Sequence, residues 1–198
     1  MSKARLEAFS DGVIAIAITL LVLDIHVPEP APGASLAERL GHQWPSYVAY
    51  IVSFVTIGII WINHTAMLRR LASVDHTVMF LNLLLLLTIG VLPFSTALLA
   101  AYLKEADGAR LAAVIYGGSF LLMGLTFLAM QRQLMSVRTH LLEKHVTPEV
   151  RSAVLRRNAR GVFPYLLATI GALLTPYLTL AICAAVAGFY ALPTTTRD

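Results

Sequence analysis

The sequence predicts an all-α, polytopic membrane protein, and three observations support this fold class. Hydrophobic residues make up 58% of the 198 residues, charged residues only 13%, and the mean hydropathy is +0.74. A soluble domain of this size could not bury so much apolar surface. Long apolar runs also recur along the chain, separated by polar or basic segments. We therefore expect one membrane-embedded helical domain over residues 1–198.

Four apolar runs are long enough to cross a bilayer, which takes about 20 residues per helix. They lie at residues 5–27, 47–68, 78–101 and 110–130. The remaining apolar block, 161–192, would measure about 48 Å as one helix, which is too long for an ordinary span. Thr175 and Pro176 interrupt it. We therefore predict two short spans, 158–174 and 176–192, and six in all, although five spans also fit the sequence.

Basic residues set the orientation of these spans, because Lys and Arg concentrate on the cytoplasmic side of membrane proteins. With six spans, one side receives only Arg39, Lys104 and Arg110. The other side receives Lys3, Arg5, Arg69, Arg70, Arg132, Arg138, Lys144, Arg151, Arg156, Arg157, Arg160 and Arg197. The sequence thus predicts a multi-pass protein of the cell inner membrane with both termini in the cytoplasm.

Segments between the spans carry helix-start signals. A Pro- and Gly-rich stretch precedes a short extracytoplasmic helix predicted at Ser35 to Gly41. Residues 131–160 mix basic and apolar residues at helical spacing and contain a helix start at Thr147 and Pro148, and we interpret them as a cytoplasmic helical linker near anionic headgroups. Cys183 is expected to be a free core thiol. No cofactor is expected, because no phosphate loop, metal-ligand spacing or nucleophile motif occurs in the sequence.

Ser10 and Asp11 stand inside the first apolar run, in "FSDGVIAIAITLLVLDI". If they capped the helix, it would run from Gly12 to Leu23, about 18 Å, well short of the roughly 30 Å hydrocarbon core. We therefore predict a helix that begins near Lys3, with a tilted or shortened span as the alternative. An ionisable group inside such a bundle needs a partner or a water-filled cavity.

Candidate partners lie on the second and third spans. Trp61 and His64, in "WINH", share a helix face at i, i+3 spacing, and Asn82, in "FLNLLL", stands in an otherwise apolar helix. Each residue alone is better explained as an independent, satisfied polar group. Together with Ser10 and Asp11, they favour a joint hydrogen-bond network that fixes the rotation of the first helix.

The rotation of the first helix decides what an apolar stripe on it faces. Ile16, Leu20 and Leu23 fall on one stripe after Asp11, with Thr19 at its edge. Ordinary helix packing explains such a stripe, and the pattern by itself does not make it the wall of a pore.

The stretch "RLEAFSDGVIAIAITLLVLDI", from Arg5 to Ile25, resembles the first-helix signature R-x-x-x-F-S-D of the endolysosomal transmembrane potassium channel family. "WINH" and "FLNLLLLLTIGVLPF" are similar to that family's second and third helices, and the last three helices match in pattern alone. The resemblance implies a bacterial, single-repeat member that forms a homotetramer around a central pore lined by the first helix. The implied partners are other copies of the chain, potassium ions and membrane lipids, without nucleic acid.

The resemblance also implies roles for particular residues. It places the pore constriction and selectivity residues, which form a K⁺ pathway without fixed metal ligands, at Ile16, Thr19, Leu20 and Leu23. It places the network that orients the pore helix at Arg5, Phe9, Ser10, Asp11, Trp61, His64 and Asn82. No T-V-G-Y-G filter occurs in the sequence. The implied channel therefore gates by dewetting at a ring of Ile16 side chains and prefers K⁺ over Na⁺ modestly.

Two other functions stay open at this point. A secondary transporter or proton pathway would use Asp11 and His64 as a relay, and neutralising either residue would abolish coupled transport. Inverted repeats would favour a transporter, but the halves on either side of residue 104 share no motif. A membrane enzyme or scaffold ranks last, because no convergent nucleophile, base or metal set occurs in the sequence.

Overall fold

The computed structural model describes residues 2–30, 32–33 and 35–191, and these ranges form a helical bundle. The helices are α1 Lys3–Leu20, α2 Leu36–His42, α3 Trp44–Arg69, α4 His76–Gly90, α5 Leu92–Tyr102, α6 Ala109–Arg132, α7 Pro148–Gly171 and α8 Pro176–Ala191. A 3₁₀ turn at Leu21–Asp24 extends α1, and a π turn at Gln133–Val137 extends α6.

Among the described residues, four helical stretches are long and apolar enough to cross a membrane. They are Lys3–Asp24, Trp44–Arg69, His76–Tyr102 and Ala109–Val137. These correspond to the four long spans predicted from hydropathy. The apolar helix Pro176–Tyr190 is shorter, and α7 carries several basic residues in its first half. The predicted end of the sixth span, Leu192, and the predicted cytoplasmic Arg197 lie outside the described residues.

The first helix begins where the sequence predicts. α1 starts at Lys3, so Ser10 and Asp11 lie within it and do not cap it. Ser35 caps α2: its hydroxyl accepts from the Glu38 N–H, and the Glu38 carboxylate accepts from the Ser35 N–H at 2.8 Å. This reciprocal pair is a capping box, and it confirms the short helix predicted there.

The third predicted span, 78–101, corresponds to the apolar stretch His76–Tyr102, which a turn divides into two helices. α4 ends at Gly90, and α5 begins at Leu92 after a turn at Val91. Pro93 accounts for the break, because it has no N–H to donate to the Ile89 carbonyl and its ring clashes with that carbonyl.

The second part of the predicted linker, from Pro148 onward, forms one continuous helix with the fifth span, whereas its first part is a π turn, a 3₁₀ turn and irregular segments. The Thr147 hydroxyl accepts from the Val150 N–H and Pro148 occupies the first turn of α7, as the sequence predicts. The boundary expected near residue 158 is absent, because α7 continues to Gly171. The chain then breaks before Pro176, where an interruption was predicted.

Contacts show which helix ends lie together. The Lys3 ammonium donates to the Leu71 carbonyl at 2.7 Å, and Leu71 pairs with Leu142 in an isolated antiparallel bridge. The start of α1, the end of α3 and the segment after α6 therefore meet at one end, which we call the basic end. Trp44 stacks on Tyr177 at the opposite end, with ring centroids 6.4 Å apart. This alternation of ends is the one assumed in assigning Lys and Arg to the two sides.

The core of the bundle lies around α6, which packs against α4, α5, α7 and α8. Buried hydroxyls satisfy one another there: Ser53 Oγ bonds to Thr96 Oγ1 at 2.8 Å and to Tyr116 Oη at 3.1 Å. Gly117 lets α7 approach closely, because a Cβ at this position would lie 3.1 Å from the Thr169 Cα. Cys183 is a buried free thiol, as expected.

Candidate functional site

Of the four long apolar stretches in the described residues, the one containing α1 is the least buried. In its most apolar segment of 18 residues, 28% of the residues are buried, against 39%, 44% and 44% in the corresponding segments of the other three stretches. The buried side chains of this stretch, Leu6, Ser10, Ile14, Ala17 and Leu21, recur every three or four residues and form one face. α1 is therefore a peripheral helix that is fixed on one side and uncovered on the other.

The buried face of α1 is held by a chain of hydrogen bonds to two other helices. The Ser10 hydroxyl donates to the Leu6 carbonyl at 2.8 Å, so its oxygen accepts from Asn82 Nδ2 at 2.9 Å. That contact turns Asn82 Oδ1 toward His64 Nε2, which lies 2.7 Å away. Since Oδ1 can only accept, His64 carries a proton on Nε2. Three fully buried polar side chains thus satisfy one another across α1, α3 and α4.

Asp11 has a different partner. The Trp61 indole Nε1–H donates to Asp11 Oδ1 at 2.8 Å, and both residues are exposed in the isolated chain. Trp61 and His64 therefore contact separate groups, although they are neighbours on α3. The predicted network consists of two hydrogen-bonded sets, which share the helices α1 and α3 but have no hydrogen bond between them in the described residues. No direct hydrogen bond joins Asp11 to His64 in the described residues.

Two members of the predicted orienting set lie outside both hydrogen-bonded sets. Arg5 is exposed and forms no hydrogen bond or ion pair with any residue that the structure describes. Phe9 is half exposed and lines an apolar groove between α1 and α4, together with Met79 and Phe80. The structure therefore places Phe9 against α4 by packing and leaves Arg5 at the uncovered surface.

The uncovered face of α1 carries the four residues predicted for the constriction. Ile16 is 61% exposed, Leu20 44% and Leu23 65%, and Thr19 is exposed between them. The Thr19 hydroxyl donates to carbonyls of its own helix, 3.0 Å from Ala15 O and 2.9 Å from Ile16 O. Its proton is thus used within the helix, and its oxygen lone pairs remain free to accept.

Sequence reasoning missed the contacts that hold the basic end together. Arg138 forms an ion pair with Asp75, the N-cap of α4, and also donates to Thr77 Oγ1 at 2.7 Å. The ammonium of Lys3 binds the loop between α3 and α4 through Leu71. A cap signal identifies Asp75 from the sequence, but its pairing with a residue 63 positions away does not follow from any local pattern.

These features are those of a polytopic helical membrane protein in which one face of the first helix is anchored by hydrogen bonds and the other face is uncovered. The family model for the endosomal/lysosomal potassium channel TMEM175 matches residues 5–93. A potassium channel of Streptomyces collinus is 44% identical over 200 residues, covering 99% of this chain and 96% of that one. The chain belongs to the TMEM175 family, whose members are ion channels and not enzymes.

Two further comparisons describe the breadth of this family. The crystal structure of a lysosomal potassium-selective channel TMEM175 homolog from Chamaesiphon minutus superposes with a TM-score of 0.85, at 36% identity and with 96% of each chain covered. The endosomal/lysosomal proton channel TMEM175 of Gallus gallus is 40% identical over 114 residues, which cover 54% of this chain and 23% of that protein. The relatives thus include both named potassium channels and named proton channels.

Proposed function

We propose that this protein is a potassium-permeable, modestly K⁺-selective channel in which α1 lines a central pore of four copies. The observation that carries the proposal is the uncovered face of α1, which holds Ile16, Thr19, Leu20 and Leu23 while the opposite face is fixed by buried hydrogen bonds. The potassium channels among its full-length relatives support the choice of ion.

The exposed carboxylate of Asp11 supports the placement of α1 at an assembly interface or a water-filled space. Asp11 lies eight residues beyond Lys3, about 12 Å along the helix, and one indole N–H is its hydrogen-bond partner in the described residues. A carboxylate at this depth is costly against lipid. Many exposed apolar side chains of this bundle are compatible with contact with lipid acyl chains. The side of α1 that carries the Asp11 carboxylate is not.

Gating follows from the chemistry of the stripe. Four Ile16 side chains around an axis form an apolar ring that excludes water when narrow and conducts when it widens, which is gating by dewetting. Potassium holds its hydration shell less tightly than sodium, so it loses less on entering such a constriction. The free lone pairs of Thr19, one turn away, can replace part of the lost hydration.

In the membrane, we propose six spans, with α7 and α8 as the fifth and sixth, and with the basic end in the cytoplasm of a bacterial inner membrane. The stacking of Trp44 on Tyr177 supports this topology, since it places the start of α8 at the end opposite Lys3. Positive charge at the basic end agrees with the cytoplasmic bias of Lys and Arg.

The test is K⁺ and Na⁺ flux into liposomes that contain the purified protein, comparing wild type, Ile16→Asn and Ile170→Asn. Ile170 is a matched control, because it is 52% exposed on α7, which packs on α6 and α8. We expect Ile16→Asn to raise flux and to bring the K⁺/Na⁺ ratio toward one, because polar amide groups would let water remain in the constriction. Ile170→Asn should leave both unchanged.

Other outcomes of this experiment separate the alternatives. Equal effects of the two substitutions would mean that the stripe on α1 is an ordinary apolar surface. Unchanged flux in Ile16→Asn, together with loss of proton transport in Asp11→Asn and His64→Gln, would favour a proton relay. The geometry favours the channel, because the bonds from His64 lead through Asn82 and Ser10 to a backbone carbonyl, which cannot pass a proton onward.

A further inference from the structure

A cleft between α3, α6, α7 and α8 contains none of the residues discussed for the pore. It has a volume of about 80 Å³, and none of its lining residues comes from α1. Its wall surface is mainly apolar, with Ile60, Phe127 and Val162 among the lining residues, and its polar side chains are Thr56, Asn63, Arg157, Asn158, Tyr165 and Tyr190. The position of those polar groups indicates the kind of ligand that the cleft would bind.

Two nitrogen donors at the mouth of the cleft have no acceptor in the part of the chain that the structure describes. The exposed Arg157 guanidinium forms no hydrogen bond or ion pair with any described residue. Asn158 Nδ2 is buried and also lacks a partner within the described ranges. The third polar residue there, Asn63, donates to the Ile59 carbonyl of its own helix at 2.9 Å. The free donors therefore come from adjacent residues of α7.

The mouth is also a region of uncompensated positive charge. Arg70, at the end of α3, donates to the Ala66 carbonyl at 3.2 Å. Burial, and then the nearby charge of Arg157, lowers the pKa of Arg70. Two like charges thus repel one another at this end of the cleft, and an anion bound between them would relieve that repulsion.

Beyond the mouth, the cleft leads into the apolar interior. From Arg157, the α7 wall continues through Gly161 to Tyr165, two helical turns or about 12 Å further along. On α3, the lining residues extend from Asn63 back to Thr56. The cleft therefore combines a cationic, donor-rich mouth with a mainly apolar inner wall, which is the arrangement that an anionic amphiphile requires.

We propose that this cleft binds an acidic phospholipid from the leaflet at the basic end, with its phosphate on Arg157 and Asn158 and one acyl chain between α3, α6 and α7. Charge-assisted hydrogen bonds from a guanidinium suit a phosphate, and basic pockets between membrane helices bind lipid headgroups in this way. A free inorganic anion would satisfy the same donors but would leave the mainly apolar inner wall uncovered. The site goes beyond the proposed ion pathway and does not depend on it.

The first experiment measures lipid binding by native mass spectrometry of the protein purified in neutral detergent, with phosphatidylglycerol and phosphatidylcholine of the same acyl chains. We expect wild type to prefer phosphatidylglycerol by about fivefold or more, the contribution of one interfacial Arg. Arg157→Gln should remove this preference. Arg156→Gln is the matched control, since Arg156 is an exposed neighbour that does not line the cleft, and it should keep the preference.

A second variant tests the acyl chain separately from the charge. A Cβ at Gly161 would meet only the Tyr190 hydroxyl at 3.5 Å, so Gly161→Leu should fold while its side chain fills the cleft. We expect it to lose phosphatidylglycerol binding although Arg157 is intact. Equal losses in Arg156→Gln and Arg157→Gln would overturn the site in favour of diffuse charge. Displacement of the lipid by millimolar inorganic phosphate, or unchanged binding in Gly161→Leu, would overturn the lipid assignment.

Discussion

Replacing Asn82 by Leu tests whether the buried hydrogen-bond chain holds α1 in place. The substitution keeps the number and branching of the side-chain heavy atoms but breaks the bonds to His64 Nε2 and Ser10 Oγ, at 2.7 and 2.9 Å. Each such bond between membrane helices contributes about 0.6 kcal/mol, up to about 1.7. A buried His64 N–H left without an acceptor costs about 1–3 kcal/mol. We therefore expect Asn82→Leu to lower the free energy of unfolding by about 2 kcal/mol.

A double-mutant cycle with His64→Leu isolates the interaction between His64 and Asn82. The free energy of unfolding of each variant is measured by reversible unfolding in mixed detergent micelles at a fixed protein concentration. The coupling energy between positions 64 and 82 should be about 0.6–1.7 kcal/mol. Asn63→Leu is the control, because among the described residues Asn63 bonds to its own helix alone, and it should change stability by less than about 0.5 kcal/mol. Additive effects of His64→Leu and Asn82→Leu would refute the reasoning.

Two further predictions concern the neighbouring polar groups. Asp11→Leu and Trp61→Phe each remove the 2.8 Å hydrogen bond between the indole and the carboxylate. Both should reduce tetramer assembly, measured by native mass spectrometry, or flux, measured in liposomes. The K⁺/Na⁺ flux ratio should not change. At Glu38, hydrogen bonds from the Ser35 N–H and hydroxyl lower the pKa below its usual 4.5. Because this pKa is lowered, the Glu38 carboxylate stabilises α2 above pH 4.5, and the stabilisation is lost as the pH falls through the lowered pKa. Amide hydrogen exchange in α2 should therefore accelerate in that pH range.

Each of these predictions has a clear contrary result. A changed K⁺/Na⁺ ratio in Trp61→Phe would mean that the indole acts on the permeating ion and not only on the position of α1. For α2, Glu38→Gln should remove the pH dependence, because glutamine retains the capping geometry without titrating. Exchange that still accelerates at low pH in Glu38→Gln would assign the effect to another group.

The contacts at the basic end suggest why α1 needs more than one anchor. Lys3 fixes the start of the helix to Leu71, and Asn82 and Trp61 fix its rotation about two turns later. Beyond these contacts, α1 presents an uncovered apolar face, and in the proposed pore the width between four such faces would change with small movements of the whole helix. An anchored start with a free face is the arrangement that a hydrophobic constriction needs.

The sequence by itself determined the membrane setting, the four long spans and several helix starts. These are local properties: apolar length decides whether a segment enters a bilayer, and a cap such as Ser35 or Thr147 satisfies N–H groups within its own first turn. Even the position of Asp11 inside α1 followed from length alone. The turn at Val91 inside the third span did not follow from hydropathy, because Pro93 changes the backbone geometry and not the apolarity of the segment.

Only the tertiary structure decided which polar groups meet. Trp61 and His64 lie three residues apart, yet one bonds to Asp11 and the other to Asn82, because the depth and rotation of three helices set their partners. The same holds for the pair of Arg138 with Asp75 and for the unpaired donors at Arg157 and Asn158. Hydropathy is a property of one segment, whereas a hydrogen bond between helices requires two side chains to reach the same point in space.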